Sequence, residues 1–432
     1  MGTYLSRSQT NGNQDKWTWS GWVKRSTLSA AQCLFATSNG SSTSFDAKFD
    51  SSDRMDVYNY LGGGFGARLI TNRVFRDVAS WYHIVIVYDS GNGTEANRLR
   101  IYVNGTEESS FSTTNYPSQN ENSDLNVSGS TLDIGRQQNG AEFFNGYLTD
   151  VNLIDGQALT PSTFGETDST TGEWKPKVAF TGVTYGTNGF RCQFGNAAAL
   201  GTDTSGNTNT LTVNNAGTNA KTVDTADNNF CTMNPLVTFE GSNSPNNIPD
   251  YSKGDTVATA SNGTTRFAMA TMATTMPYYF EVKVLSTSST DTSQRVGVID
   301  ESAFGTPATY SSVYRGDGSI TATGESNNTG NQTLSTNSII GIAVDLATNY
   351  NIKYYHNGTL QATMAVGAAY RSLATSPFAR LVDATQSFSF NFGNPSYTIS
   401  SGNSDANGHG NFEYAVPSGY YALCTENLNT YG

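Results

Sequence analysis

The sequence predicts an all-β protein made of two antiparallel β-sandwiches in tandem, and three observations lead there. Short runs of β-branched and aromatic residues bounded by turn formers recur along the chain, at 81–90 (WYHIVIVYDS), 98–105 (RLRIYVNG), 278–285, 338–346, 351–358 and 387–393. Asn-Gly, the dipeptide that best tolerates the positive φ of a tight hairpin turn, stands at positions 11, 39, 92, 104, 139, 145, 188, 262, 357 and 407. No segment of helix length sustains apolar residues at i, i+3, i+4 and i+7, so any helix is a short turn.

The two-sandwich organisation follows from an internal echo. An apolar strand ending at Asp89 is followed by a polar loop and by RLRIYVNGT, which carries the Asn104-Gly105 turn. In the second half IIGIAVD ends at Asp345, and NIKYYHNGTL carries the Asn357-Gly358 turn. One such unit per half predicts two domains of related architecture, and the absence of a short repeat period disfavours solenoids and propellers. The expected boundaries are 1–199 for the first sandwich with a C-terminal extension, 200–235 for a polar linker, and 236–432 for the second sandwich. A further polar stretch, 325–338, reads as a solvated loop within the second half.

Composition bounds the function. The chain has 432 residues, 24 Lys+Arg against 36 Asp+Glu and a net charge of −12, so phosphate backbones are repelled and nucleic acid is not an expected partner. Only 14% of residues are charged, yet 22 Phe, 23 Tyr and 5 Trp supply the apolar surface that disordered chains lack. No run approaches the roughly 18 apolar residues of a membrane span, so no membrane insertion is expected. The opening MGTYLSRSQTNGN carries no apolar signal-peptide core, so synthesis in the cytoplasm without a signal peptide is the expectation. Cys33, Cys192, Cys231 and Cys424 are far apart with no CxxC spacing and read as isolated thiols, with a Cys192–Cys231 disulfide as the alternative if the connection folds back.

The residues offer no catalytic constellation. No strand carries acids at alternate positions, and the closest pairs, Asp53/Asp56 and Glu107/Glu108, have the wrong period for a shared strand face and read as solvated surface. His83, His356 and His409 are distant in sequence; His83, alternating within a strand, and His356, beside an Asn-Gly turn, read as structural. Gly62–Gly66 lacks the Lys and Ser/Thr of a phosphate loop and reads as a loop tip. Asp203–Asn209 is rich in oxygen donors but lacks the order of an EF-hand loop. No cofactor is required by any of these.

Trp17–Lys24, Asp77–His83, Arg100–Gly105, Leu132–Gly135 and Phe144–Tyr147, spread over about 15–165, resemble the laminin-G-like, concanavalin A-like sandwich family. Tyr278–Lys283, Arg295–Ile299, Gly341–Asp345, Ile352–Gly358 and Phe390–Gly393, over about 270–395, resemble a SPRY domain. Both resemblances imply bent, jelly-roll-type sandwiches. The combination resembles proteins of marine bacteriophages and cyanophages, which implies a non-enzymatic virion structural protein, a tail fibre or a head appendage. Its implied partners are other virion proteins, further copies of itself (a trimer in a fibre) and a host-surface glycan or protein. A capsid decoration or cement protein without ligand, and a glycan depolymerase, are the alternatives. On such a scaffold the candidate ligand-binding residues are Tyr58, Tyr60 and Phe65 beside the glycine run and Tyr310, Tyr314 and Arg315 in the second half, each with core packing as its other reading. The laminin-G resemblance also implies calcium at the sandwich rim, with Asp89 and Asp150 as candidate ligands and strand-end capping as the alternative.

Overall fold

The computed structural model describes residues 2–40, 42–217, 220–237, 247–261, 263–287, 293–300 and 310–432; Asn262 of the Asn-Gly series lies outside them. The chain is nearly all β and divides into two compact units, Met1–Lys221 and Thr222–Gly432.

In the first unit an eight-stranded antiparallel sheet runs in the order Phe111–Asn115, Gly64–Val74, Arg54–Leu61, Thr43–Phe49, Gln32–Gly40, Thr131–Ile134, Tyr4–Ser8, Thr212–Asn214. A six-stranded sheet runs Phe190–Cys192, Gly146–Asp155, Lys16–Arg25, Tyr82–Asp89, Leu99–Val103, Thr106–Glu107. The period of two along a strand makes the core. In Lys16–Arg25, Trp17, Trp19 and Val23 enter the main core with Phe35, Phe45, Ile84, Ile86 and Tyr88, and Trp17 lies parallel to Tyr88 with ring centroids 5.5 Å apart. The opposite face of that sheet is not left to water. Val85, Val87, Tyr102 and Ile154 are covered by Phe164, Phe180 and Tyr185 of the chain that follows Asp155.

The second unit pairs a seven-stranded sheet (Asp250–Ser252, Val257–Thr259, Ser387–Asn391, Tyr278–Ser286, Ile339–Asp345, Asn351–His356, Thr359–Ala365) with a five-stranded one (Arg266–Met269, Thr375–Leu381, Arg295–Asp300, Ser311–Arg315, Ile320–Ala322). Phe280, Val282, Val296, Val298, Ile342, Phe388 and Phe390 fill the space between them. The one α-helix among the described residues is Thr425–Tyr431.

The echo is a shared corner. Asn104 and Asn357 adopt φ of 47° and 46°, followed by Gly105 and Gly358 at 81° and 78°, the successive positive angles of a type I′ turn. Asn104 Oδ1 accepts the His83 amide at 2.7 Å while its own amide donates to the His83 carbonyl. Asn357 makes the same two bonds with Ile339, the first at 2.8 Å.

The stretch 200–235 is divided between the units and is not a bare linker. Leu211 lies in the first core, and Thr212–Asn214 pairs antiparallel with Tyr4–Ser6 as an edge strand. Cys231 and Met233 lie in the second core. The polarity that suggested a linker is partly the chemistry of a fixed loop. Asp203 accepts the amides of Arg191, Ser205 and Asn209, while Asn209 donates to the Thr187 and Gly189 carbonyls. Asp203–Asn209 is therefore a capped turn with its carboxylate consumed by backbone donors.

Within the second unit a buried carboxylate fastens the C-terminal segment to the seven-stranded sheet. Glu281 accepts from Asn391 Nδ2 at 3.1 Å, from the Tyr279 and Tyr397 hydroxyls at 3.2 Å, and from the amides of Glu413 and Tyr414 at 3.0 and 2.8 Å.

Candidate ligand-binding surface

The glycine run is a hairpin tip. Gly62 and Gly63 turn at φ of 60° and 95°, which only residues without a Cβ adopt freely, and they join Arg54–Leu61 to Gly64–Val74. Register then sets Tyr60 directly opposite Phe65 and Tyr58 opposite Arg68. Alternation sends Val57 and Ala67 into the core and leaves Asp56, Tyr58, Tyr60, Phe65 and Arg68 together on the outward face of the eight-stranded sheet.

On that face Phe65 is the exposed ring, at 44%. Tyr58 and Tyr60 meet it edge-on, each with centroids 5.4 Å away, and the Arg68 guanidinium lies 4.5 Å from its centroid. Arg68 is itself forked onto Asp56, Nε to Oδ1 at 3.0 Å and Nη2 to Oδ2 at 2.8 Å, so the charge beside the ring is fixed in place. Asn115 Nδ2 holds the Phe65 carbonyl at 3.1 Å. Tyr58 is the floor of this platform and not a contact residue: only 9% exposed, it accepts from Gln137 Nε2 at 3.2 Å and lies under Lys48, which pairs with Glu142 at 2.9 Å. Burial holds the neighbouring Asp46 carboxyl above the usual carboxylate range, against the opposing pull of the Tyr58 and Ser44 hydroxyls. The platform offers a rigid aromatic face with hydrogen-bonding charge at its rim, suited to stacking on an apolar face of a ligand that also carries polar groups.

The second predicted set is corrected. Tyr310 and Tyr314 are fully buried members of the core, because in Ser311–Arg315 alternation turns Ser312 and Tyr314 inward. The Tyr314 hydroxyl donates to the Gln332 carbonyl at 2.5 Å, and burial pushes it up to about 12. Arg315 alone of the three reaches the surface side of that strand.

The calcium candidates do not converge. Register puts Asp89 at a strand end opposite Lys16, whose ammonium is 3.3 Å away. Asp150 lies inside Gly146–Asp155 at a bulge, and both its oxygens are taken by Arg191 at 2.7 and 3.2 Å. Each carboxylate is engaged by a cation of the chain itself, and no group of three metal-ligating side chains forms among the described residues. Asp53, Asp56 and Glu108 are likewise not solvated but buried in ion pairs with arginines. All four cysteines are free and buried, so Cys192–Cys231 is not a disulfide.

Ser20 and His83 imitate a nucleophile–base pair, with Oγ and Nε2 2.9 Å apart. The Trp174 indole N–H donates to His83 Nδ1 at 3.0 Å, so the neutral ring carries its proton on Nε2 and donates toward Ser20. That is the reverse of what a general base needs, and burial lowers the ring to about 3. An open cleft of about 520 Å³ is lined by Ser162, Thr163, Glu166, Lys177, Val178, Ala179 and Thr181, and its ammonium is bonded to the Ser162 carbonyl.

Comparison with known proteins places two domains on the chain. Residues 2–163 match the Laminin_G_3 family of the concanavalin A-like lectin/glucanases superfamily, and residues 277–395 match the SPRY domain. No curated protein matches the chain. Among solved structures, the heptameric SAP-like pentraxin of Limulus polyphemus is 20% identical over 37% of this chain and 71% of its own, with a TM-score of 0.28. The SPRY domain of human HERC1 is 14% identical over 31% and 87%, with a TM-score of 0.26. Domains LG4-5 of the mouse laminin alpha1 chain are 10% identical over 98% and 84%, with a TM-score of 0.30.

Proposed function

We propose that this protein is a non-enzymatic adhesion protein that binds a surface glycan through the Tyr60–Phe65 platform of its lectin-like unit. The observation that carries the reading is Phe65, an exposed ring braced by two tyrosines and a fixed Arg68–Asp56 pair. Its setting is the surface of a phage particle, as a tail fibre or head appendage built with other virion proteins and further copies of the chain. The sequence resemblance and the polar composition, with only 14% of residues charged, support that setting.

Binding is favoured over hydrolysis by the state of the acids on this face. Asp46 and Asp133 both flank Ala36 across the sheet, but both are buried, and Asp133 is held by Arg136 at 2.6 Å. A glycan array followed by calorimetry tests the reading. Phe65→Ala and Tyr60→Ala are each expected to weaken the glycan hit about tenfold with the thermal midpoint unchanged, and wild-type affinity in Phe65→Ala overturns the site. Release of reducing sugar that Asp46→Asn or Asp133→Asn abolishes would establish a depolymerase instead. Immunogold on intact particles of the source phage tests the setting, and unlabelled particles overturn it.

A further inference from the structure

The outward face of the five-stranded sheet in the second unit carries a row that the sequence disperses over more than a hundred residues. Phe267 is paired with Arg380, Arg380 with Arg295, and Arg295 with Arg315, so one aromatic ring and three guanidinium side chains stand directly opposite one another on four adjacent strands. Alternation fixes their direction, since Val296, Val298, Tyr314 and Ala379 on the same strands enter the core. Neighbouring strands are about 4.8 Å apart, and like charges placed directly opposite are destabilising.

Three arginines in one row are unexpected in this unit, where residues 222–432 hold eight Lys and Arg against sixteen Asp and Glu. In the first unit the arginines are characteristically answered by acids, as in Arg25–Asp53, Arg54–Asp50, Arg68–Asp56, Arg73–Glu108, Arg136–Asp133 and Arg191–Asp150. Arg315 and Arg380 make no ion pair among the described residues. Their Nε atoms are closed to solvent with no hydrogen-bond acceptor, and both residues are half-buried. Arg380 stands 5.8 Å from the Phe267 centroid. Asp317, the acid that feels the Arg315 charge, is already bonded to the Ser319 hydroxyl and amide.

From this row we propose a second glycan site: the Phe267–Arg380–Arg295–Arg315 face takes an acidic polysaccharide, its carboxylates or sulfates forked by Arg315 and Arg380 and a sugar face resting toward Phe267. The proposal deepens the glycan-adhesion reading and rests on it for the choice of a polysaccharide. Guanidinium forks match planar or tetrahedral oxyanions bidentately. A row crossing the middle of a sheet recognises by side chains alone, because the strand backbones there are already paired. An extended peptide draws its affinity from unpaired backbone at a sheet edge; the three arginines lie on strands paired on both sides, and at the edge strand the Phe267 amide already donates to the Asn247 carbonyl at 3.0 Å.

The test uses the full chain on immobilised alginate, dextran sulfate, neutral dextran and poly-L-glutamate. Wild type is expected to bind alginate or dextran sulfate, to ignore neutral dextran, and to release as salt rises. Arg315→Gln with Arg380→Gln is expected to weaken that binding about tenfold or more, while the thermal midpoint holds or rises because like charges have been thinned. An unchanged affinity in the double variant overturns the proposal, as does failure of wild type to bind either acidic polysaccharide. Preference for poly-L-glutamate also overturns it and assigns the face to an acidic protein segment. Phe65→Ala is expected to leave alginate binding intact, so loss of the first site and loss of this one are read separately.

Discussion

Trp174 donates its indole N–H to Nδ1 of His83 at 3.0 Å, and the imidazole is thereby committed to a neutral, Nε2-protonated form inside the protein. Burial lowers its proton affinity to about 3 from the ordinary 6.5, so on acidification the unfolded chain takes up this proton before the folded one does. Stability is therefore expected to be lost as pH falls through that window, at about 1.4 kcal/mol per pH unit from this group alone. His83→Gln removes the proton uptake. Urea denaturation at pH 7.5, 6 and 4.5 should show the gap between wild type and variant narrowing with acid, and a constant gap would rule the linkage out.

Asn104 and Asn357 each hold the start of the neighbouring strand, Tyr82–Asp89 and Ile339–Asp345, with one side-chain and one backbone bond. Asn→Ala at either place removes the acceptor and imposes a positive φ on a residue that disfavours it, at about 1–3 kcal/mol. Asn→Gly keeps the backbone free and costs about 1 kcal/mol through the lost bond. The local signature is hydrogen exchange, with the His83 amide opening faster in Asn104→Ala and the Ile339 amide in Asn357→Ala.

Arg25 and Asp53 are both fully buried, 3.0 Å apart, with Arg25 also bonded to the Phe75 carbonyl and Asp53 to the Ser29 amide. Asp53→Ala leaves a buried guanidinium without its counter-charge and is expected to cost about 3–5 kcal/mol. Asp53→Asn, which keeps an acceptor and suits the φ of 63° there, should cost less. Chemical denaturation orders the two, and equal losses would contradict the ion-pair reading.

The four thiols are shielded. Burial pushes Cys192 up to about 12 and Cys424 up to about 11, so little thiolate exists at neutral pH. Native protein is expected to resist iodoacetamide and to take up four equivalents once unfolded in guanidinium. Rapid labelling of the native chain at Cys33 would contradict its complete burial.

The fold was legible because its signals are local. Tyr82–Asp89, Leu99–Val103, Ile339–Asp345 and Asn351–His356 fall inside the apolar runs, and the Asn104-Gly105 and Asn357-Gly358 corners sit where φ turns positive. Surfaces were less legible, because alternation tells which residues share a face but not which face is covered. Phe65 came out exposed and Tyr60 half-buried, whereas Tyr58, on the same face, is roofed by Gln137 from a distant segment and by Lys48 from the neighbouring strand. Tyr314 followed the inward phase of its strand, a phase that the pattern SSVYR leaves open. The arginine row was invisible for another reason: each arginine is ordinary in its own strand, and only the pairing register lines them up. Thr212–Asn214 escaped as a strand because an edge strand of three residues with a single apolar one, Val213, carries almost no hydrophobic signal.

The Glu281 knot has a bearing on how the second unit can be cut. A fragment ending at 395, where the SPRY match ends, keeps the carboxylate but discards the Tyr397 hydroxyl and the Glu413 and Tyr414 amides that donate to it. It also strips Phe412, Tyr420, Ala422 and Cys424 from Tyr279 and Ala343, with which they are buried. Such a fragment would expose an apolar sheet face around a half-satisfied buried charge, so the smallest autonomous piece of this unit is set by its last carboxylate donors and not by where family likeness fades.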